Sequence, residues 1–147
     1  MFARFALGRN RIWSLDDGQL LRRFNDRHFS EFTYEALSPS GRLLATNNEG
    51  DDVKVWDTWT GKMVRTLHVH ETPGPHDTRM VFSIDGRFLM VAEYGGWMHL
   101  WRLASSERVA TFQGPVGDDM PTILSRSRDG RRLACVVGDT ATVWAWR

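Results

Sequence analysis

The sequence predicts an all-β fold assembled from one repeated four-stranded unit. Three observations carry that prediction. Four tryptophans, Trp13, Trp56, Trp101 and Trp144, are separated by 43, 45 and 43 residues, a spacing at which single supersecondary units repeat. Polar turn segments of one type recur ahead of the last three. Between the turns lie short apolar runs of strand length, and no segment sustains the 3.6-residue period of a helix.

Each repeat follows the same order. Ser38-Pro39-Ser40-Gly41-Arg42, Ser83-Ile84-Asp85-Gly86-Arg87 and Ser127-Arg128-Asp129-Gly130-Arg131 are tight turns, with glycine where the backbone needs positive φ. Leu43-Leu44-Ala45-Thr46, Phe88-Leu89-Met90-Val91 and Leu133-Ala134-Cys135-Val136 follow as apolar strands. A second turn leads to Val53-Lys54-Val55-Trp56, Met98-His99-Leu100-Trp101 and Ala141-Thr142-Val143-Trp144. A last turn, such as Asp57-Thr58-Trp59-Thr60-Gly61, precedes Met63-Val64-Arg65-Thr66-Leu67 or Arg108-Val109-Ala110-Thr111-Phe112. The strands are apolar on both faces. Blades of a β-propeller, each sandwiched between two neighbours, explain that pattern.

Lettering the strands of a blade a to d from the axis outward, residues 2–7, 11–15 and 20–24 form b, c and d of a first, partial blade. Two full blades follow, near residues 34–67 and 79–112. Residues 122–125, 132–137 and 140–146 form a, b and c of a last, partial blade. The expected division is 1–26, 27–69, 70–114 and 115–147, with fourteen strands, incomplete or open as a ring. Three readings of that count stay open: a segment of a longer propeller, a ring assembled from copies of the chain, and an open arc or distorted four-blade form. An open arc exposes apolar blade faces and leaves strand c of the last blade as an edge that invites strand addition, so an isolated monomer is expected to behave poorly.

With 147 residues the chain is long enough for a real core, and its 41% hydrophobic and 25% charged content is that of a soluble globular protein. No apolar run reaches the roughly 20 residues of a membrane helix. The N-terminus is interrupted by Arg4, Arg9 and Arg11, which argues against a signal peptide. The single cysteine, Cys135, excludes an internal disulfide framework. A cytoplasmic protein is expected. A net charge of +1 offers no general attraction to nucleic acid or to membranes.

The repeats resemble the WD-repeat family of β-propellers over nearly the whole chain. Trp56-Asp57 is a true Trp-Asp pair and Asp57-Thr58-Trp59-Thr60-Gly61 matches the turn after it, whereas Trp13-Ser14, Trp101-Arg102 and Trp144-Ala145 lack the aspartate. The resemblance implies a structural hydrogen-bond network of a histidine before the innermost strand, a Ser/Thr in the next, an aspartate in the following turn and the tryptophan. His28, Thr46 and Trp56 occupy three of these positions in the second repeat, with Gly50 and then Asp51 where the aspartate belongs. His70 matches in the third repeat, where Val91 and Gly95 replace the polar partners. In the fourth, Pro115 stands for the histidine and Cys135 or Val136 for the serine. The resemblance also implies a rigid, non-enzymatic platform whose rims bind peptides or protein domains.

Other constellations carry less. His68, His70 and His76 have metal-like spacing, but a repeat histidine and solvated loop residues explain them more cheaply. Cys135 lies in an apolar strand and reads as a buried structural thiol. Asp16-Asp17, Asp51-Asp52 and Asp118-Asp119 fall in turns, where aspartate bonds its own backbone. Gly95-Gly96 and Gly114–Gly117 lack the lysine or helix start of a phosphate loop. The aromatic and basic residues of 144–147 could stack on nucleic acid, but core packing and a chain end account for them. No catalytic residue, metal or cofactor is expected.

One charge pattern survives. The d–a and b–c loops share one rim of the propeller and hold Glu31, Glu49, Asp51, Asp52, Glu71, Asp77, Glu93, Asp118, Asp119 and Asp139 against Arg27 and Arg79. The opposite rim carries Arg42, Lys62, Arg87, Arg128, Arg131 and Arg132, balanced by Asp16, Asp17, Asp57, Asp85, Glu107 and Asp129. Glu49, Asp51, Asp52, Glu93, Trp97, Asp118 and Asp119 are the candidate partner-binding rim, and Trp59 and Trp97 the candidate aromatic anchors. A protein or peptide partner, basic in character, is expected there. Self-association or docking of further blades is a second expected contact. The alternative function is a structural or regulatory propeller tail of a larger multidomain protein or enzyme whose catalytic part lies outside this chain.

Overall fold

The computed structural model describes residues 2–6, 9–14, 16–24, 34–47, 52–69, 78–114 and 121–145. Among them, fourteen strands form four antiparallel sheets, each in chain order. The first holds β1 (Phe2–Ala6), β2 (Arg9–Trp13) and β3 (Leu20–Phe24). The second holds β4 (Tyr34–Leu37), β5 (Leu43–Asn47), β6 (Val53–Asp57) and β7 (Met63–Leu67). The third holds β8 (Arg79–Phe82), β9 (Phe88–Ala92), β10 (Trp97–Arg102) and β11 (Glu107–Gln113). The fourth holds β12 (Pro121–Arg126), β13 (Arg132–Val137) and β14 (Thr140–Ala145). Two four-stranded sheets between two three-stranded ones is the all-β, partly built propeller that the repeats predict.

Some boundaries differ. The second strand begins at Arg9 instead of residue 11, because Ala6 and Phe5 pair with Arg9 and Asn10 in the hairpin. Backbone pairing makes a strand of a segment too polar to read as one. A recurrent irregularity also escaped the sequence pattern. The register slips by one residue between Ile12 and Trp13, between Val55 and Trp56, and between Leu100 and Trp101. In each case the outermost strand carries one extra residue: Leu21, Val64 or Val109. Such a bulge bends and twists the outer strand.

The sheets stack face to face. β8 lies against β4 on one side and β12 on the other, so the innermost strands adjoin. Ala45, Val53, Val55 and Leu67 of the second sheet meet Phe82, Leu89, Val91 and Trp101 of the third in one buried cluster. The opposite face of the third sheet, with Met90, Ala92 and Met98, meets Leu133, Cys135 and Val137 of the fourth. Ile12, Leu44 and Trp56 join the first sheet to the second. A strand such as Phe88–Ala92 therefore buries alternate residues in two different interfaces, which is why it reads as a continuous apolar run.

The turns between first and second strands repeat one mechanism. The Ser83 hydroxyl donates to Asp85 Oδ1 at 2.6 Å and accepts the Phe88 amide at 3.0 Å, while Asp85 Oδ1 accepts the Arg87 amide. Ser127 and Asp129 make the same bonds in the fourth sheet. In the second sheet Ser40 replaces the aspartate, and its hydroxyl accepts the Arg42 amide at 3.3 Å. No helix among the described residues is long and apolar enough to cross a membrane.

Candidate interaction surfaces

Of the expected tryptophan network, one hydrogen bond falls among the described residues. Trp56 Nε1 donates to Thr46 Oγ1 at 2.9 Å, and both residues are buried. His28 and His70 lie outside the described residues. One sheet on, Val91 stands where Thr46 does, and the buried Trp101 Nε1 has no acceptor among the described residues. The third sheet carries a different polar cluster, which sequence reasoning missed. His99 is buried, its Nδ1 3.0 Å from Thr111 Oγ1 and its Nε2 3.5 Å from Glu93 Oε1. The alternation of β10 gives the only available sequence signal: His99 falls in register with Val91 and Thr111 on neighbouring strands.

Of the candidate rim, Glu49, Asp51, Asp118 and Asp119 lie outside the described residues, as do Glu31, Glu71 and Asp77. Asp52 Oδ2 sits 2.6 Å from His68 Nδ1 at the surface. That pairing engages His68, while His70 and His76 lie outside the described residues. Glu93 turns inward to His99, with only 14% of its side chain exposed. Trp97 is exposed at 46%, and Tyr94, not singled out by the sequence pattern, at 52%. A short turn over Tyr94–Gly96 brings them together on the b–c rim, and Gly95 has positive φ with the Trp97 ring beside it.

The first strands line a cavity of about 330 Å³ between the second, third and fourth sheets, bounded by Tyr34, Glu35, Thr78, Arg79, Ile123 and Leu124. The Arg79 guanidinium lies 4.4 Å from the Tyr34 ring centre. Burial pushes the Glu35 carboxyl up to about 7. Cys135 is buried, and desolvation raises its thiol above the usual range, the opposite of an activated nucleophile.

On the opposite rim the carboxylates are engaged by their own turns. Asp57 accepts from the Trp59 and Thr60 amides and from Arg42 Nε, and its carboxyl is held below the usual range first by the Thr60 amide. Asp85 and Asp129 are held low first by Ser83 and Ser127. The guanidiniums extend outward, and Arg42 lies over the exposed Trp59 ring at 5.3 Å.

The fourth sheet presents a second apolar surface. Ile123 pairs with Val136 and Ala134 with Val143, so these side chains share one face, away from the third sheet. Ile123 and Val143 are exposed at 53% and 60%.

Comparison with known proteins gives relatives of low identity. The chain is 26% identical over 141 residues, 92% of its length, to a guanine nucleotide-binding protein subunit beta of Nicotiana tabacum, of which it covers 38%. It is 25% identical over 135 residues to telomerase protein component 1 of Rattus norvegicus, covering 5% of that protein. It is 27% identical over 104 residues to the periodic tryptophan protein 2 homolog of Schizosaccharomyces pombe, covering 12% of it. The chain thus spans less than two-fifths of each of these proteins. No protein-family model matches it.

Proposed function

On the premise that the chain is a divergent member of the WD-repeat family of β-propellers, we propose that it is a non-enzymatic protein-interaction scaffold. Its b–c and d–a rim is the binding surface, and its partner is a basic peptide or protein segment. The observation that carries this reading is the pair of exposed aromatics, Tyr94 and Trp97, on that rim. Large amphipathic rings held on a short turn supply contact area at little entropic cost. The acidic residues of the neighbouring loops assigned to that rim, Glu49, Asp51, Asp52, Asp118 and Asp119, steer a cationic segment towards them. A cytoplasmic location is part of the proposal.

The test is binding of a lysine-rich peptide across a salt series. Asn at Asp51, Asp52, Asp118 and Asp119 weakens capture and flattens the salt dependence. Unchanged affinity and unchanged salt slope in that variant overturn the reading.

A second contact is supported by the uncovered face around Ile123 and Val143. It receives another blade-like sheet, from the same polypeptide or from a second copy. The small share of each relative's length that the chain spans supports the related reading of a structural or regulatory propeller segment within a larger protein. Sedimentation of wild type and of Val143→Glu tests the contact. A monomeric wild type that gains nothing in solubility from the glutamate overturns it.

A further inference from the structure

A groove of about 630 Å³ runs between the second and third sheets on the rim opposite the proposed partner surface. That volume is in the range of sites that enclose a small ligand or a few peptide residues. Leu43, Val55 and Leu103 give it an apolar floor. Four guanidiniums line it, Arg42 and Arg65 from one sheet and Arg87 and Arg102 from the next, against the single carboxylate of Asp57. Residues more than 40 positions apart thus converge because two sheets stack.

The disposition of each charge decides what the groove accepts. Asp57 is occupied by two amides, a hydroxyl and Arg42 Nε. Arg87 and Arg102 pair with Asp85 at 3.8 Å and Glu107 at 3.1 Å, in exposed contacts that contribute little. An incoming carboxylate competes readily with such pairs. Arg65 differs. Its Nε donates to the Leu103 carbonyl at 3.0 Å and its terminal nitrogen to the Val64 carbonyl at 2.6 Å. Two backbone acceptors hold the side chain across the sheet interface, and no carboxylate among the described residues pairs with it. It is a fixed cation over an apolar floor. On its outer side the bulge residue Val64 adds an apolar side chain to the lining.

We propose that this groove binds an extended acidic peptide segment with an apolar side chain set between carboxylates. The apolar group covers Leu43, Val55 and Leu103, and the flanking carboxylates meet Arg65 on one side and Arg87 and Arg102 on the other. Guanidinium–carboxylate bonds are charge-assisted and can be bidentate.

The probe is a short fluorescein-labelled peptide of alternating glutamate and leucine, with a lysine–leucine peptide of equal length as control. Anisotropy is expected to show saturable binding of the acidic peptide only. Arg87→Gln with Arg102→Gln is expected to weaken it about ten-fold or more, two charge-assisted contacts being lost. Both positions are solvent-exposed, and an unchanged circular dichroism melt confirms that the variant folds. Trp97→Ala leaves this binding unchanged, so failure of the acidic-rim reading does not touch the groove, nor the reverse. Equal affinity in the double variant overturns the proposal, as does no binding of the acidic peptide. Equal or tighter binding of a single-stranded oligothymidylate assigns the groove to nucleic acid and also overturns it.

Discussion

Trp56 Nε1 donates a 2.9 Å hydrogen bond to the hydroxyl of Thr46, two registers along the neighbouring strand. Trp101 and Val91 hold the same relative positions one sheet on, with a methyl where the hydroxyl would be. The two blades are a natural comparison of a buried indole with an acceptor and one with none among the described residues.

Thr46→Val is expected to destabilise the protein by about 1–3 kcal/mol, because it leaves a buried donor without its acceptor while conserving shape. Val91→Thr is expected to stabilise by about 0.5–1.5 kcal/mol by giving Trp101 an acceptor. Urea denaturation monitored by tryptophan fluorescence measures both. Opposite signs are the diagnostic result.

Glu35 makes stability fall as pH rises. Burial raises its folded carboxyl from an ordinary value of 4.5 to about 7. A raised carboxyl binds its proton more tightly folded than unfolded, so its contribution is complete below about pH 4.5 and is lost as pH rises through about 7. Glu35→Gln is expected to flatten the thermal midpoint across that window. Asp57, Asp85 and Asp129 act in the other direction, since their lowered carboxyls contribute stability above pH 3.8 that is lost in stronger acid.

Gly86 and Gly130 occupy the same turn position with φ of 69° and 72°. A Cβ on Gly86 meets nothing within 4 Å, whereas one on Gly130 comes within 2.8 Å of Ile84 in the adjoining sheet. Gly86→Ala is expected to cost about 1–2 kcal/mol from backbone conformation alone. Gly130→Ala is expected to cost more, by the displacement of Ile84. The triple comparison with Gly130→Ala, Ile84→Ala separates the two contributions by denaturant midpoint.

Trp97→Ala is expected to change stability by less than about 0.5 kcal/mol, as an exposed position does. Capture of the proposed basic partner is expected to drop about ten-fold or more, as for an aromatic at the centre of a contact. Titration calorimetry beside a thermal melt distinguishes lost binding from lost folding.

Cys135 is buried between the third and fourth sheets. Its reaction with a thiol reagent is expected to track opening of that interface and to accelerate in the same urea range as unfolding of the fourth sheet. Immediate reaction in native buffer would place the thiol at the surface and contradict the packing.

Strand positions and turn types were legible because both rest on local chemistry. Ser83 and Asp85 build their turn from bonds spanning five residues, and the apolar runs announce strands buried on both faces. The bulge opposite Trp13, Trp56 and Trp101 was not legible, since Leu21, Val64 and Val109 look like ordinary strand residues until the neighbouring strand sets the register. The candidate rim was legible only as a set of loop acids. Whether a given acid faces outward depends on what lies beside it. Glu93 meets a buried histidine in the next strand, and Asp52 meets His68 from the end of another.

The repeat, and the order of strands and turns found among the described residues, were already written in the chain. Period, turn chemistry and strand apolarity are properties of segments a few residues long. Which charges are committed to protein partners and which line the groove depends on how the sheets pack. Arg65 becomes a fixed cation because the Leu103 carbonyl lies across a sheet interface. The four guanidiniums converge because the second and third sheets bury Val55 and Leu103 in one cluster. Such juxtapositions come from apolar packing between segments distant in sequence, which no local pattern encodes.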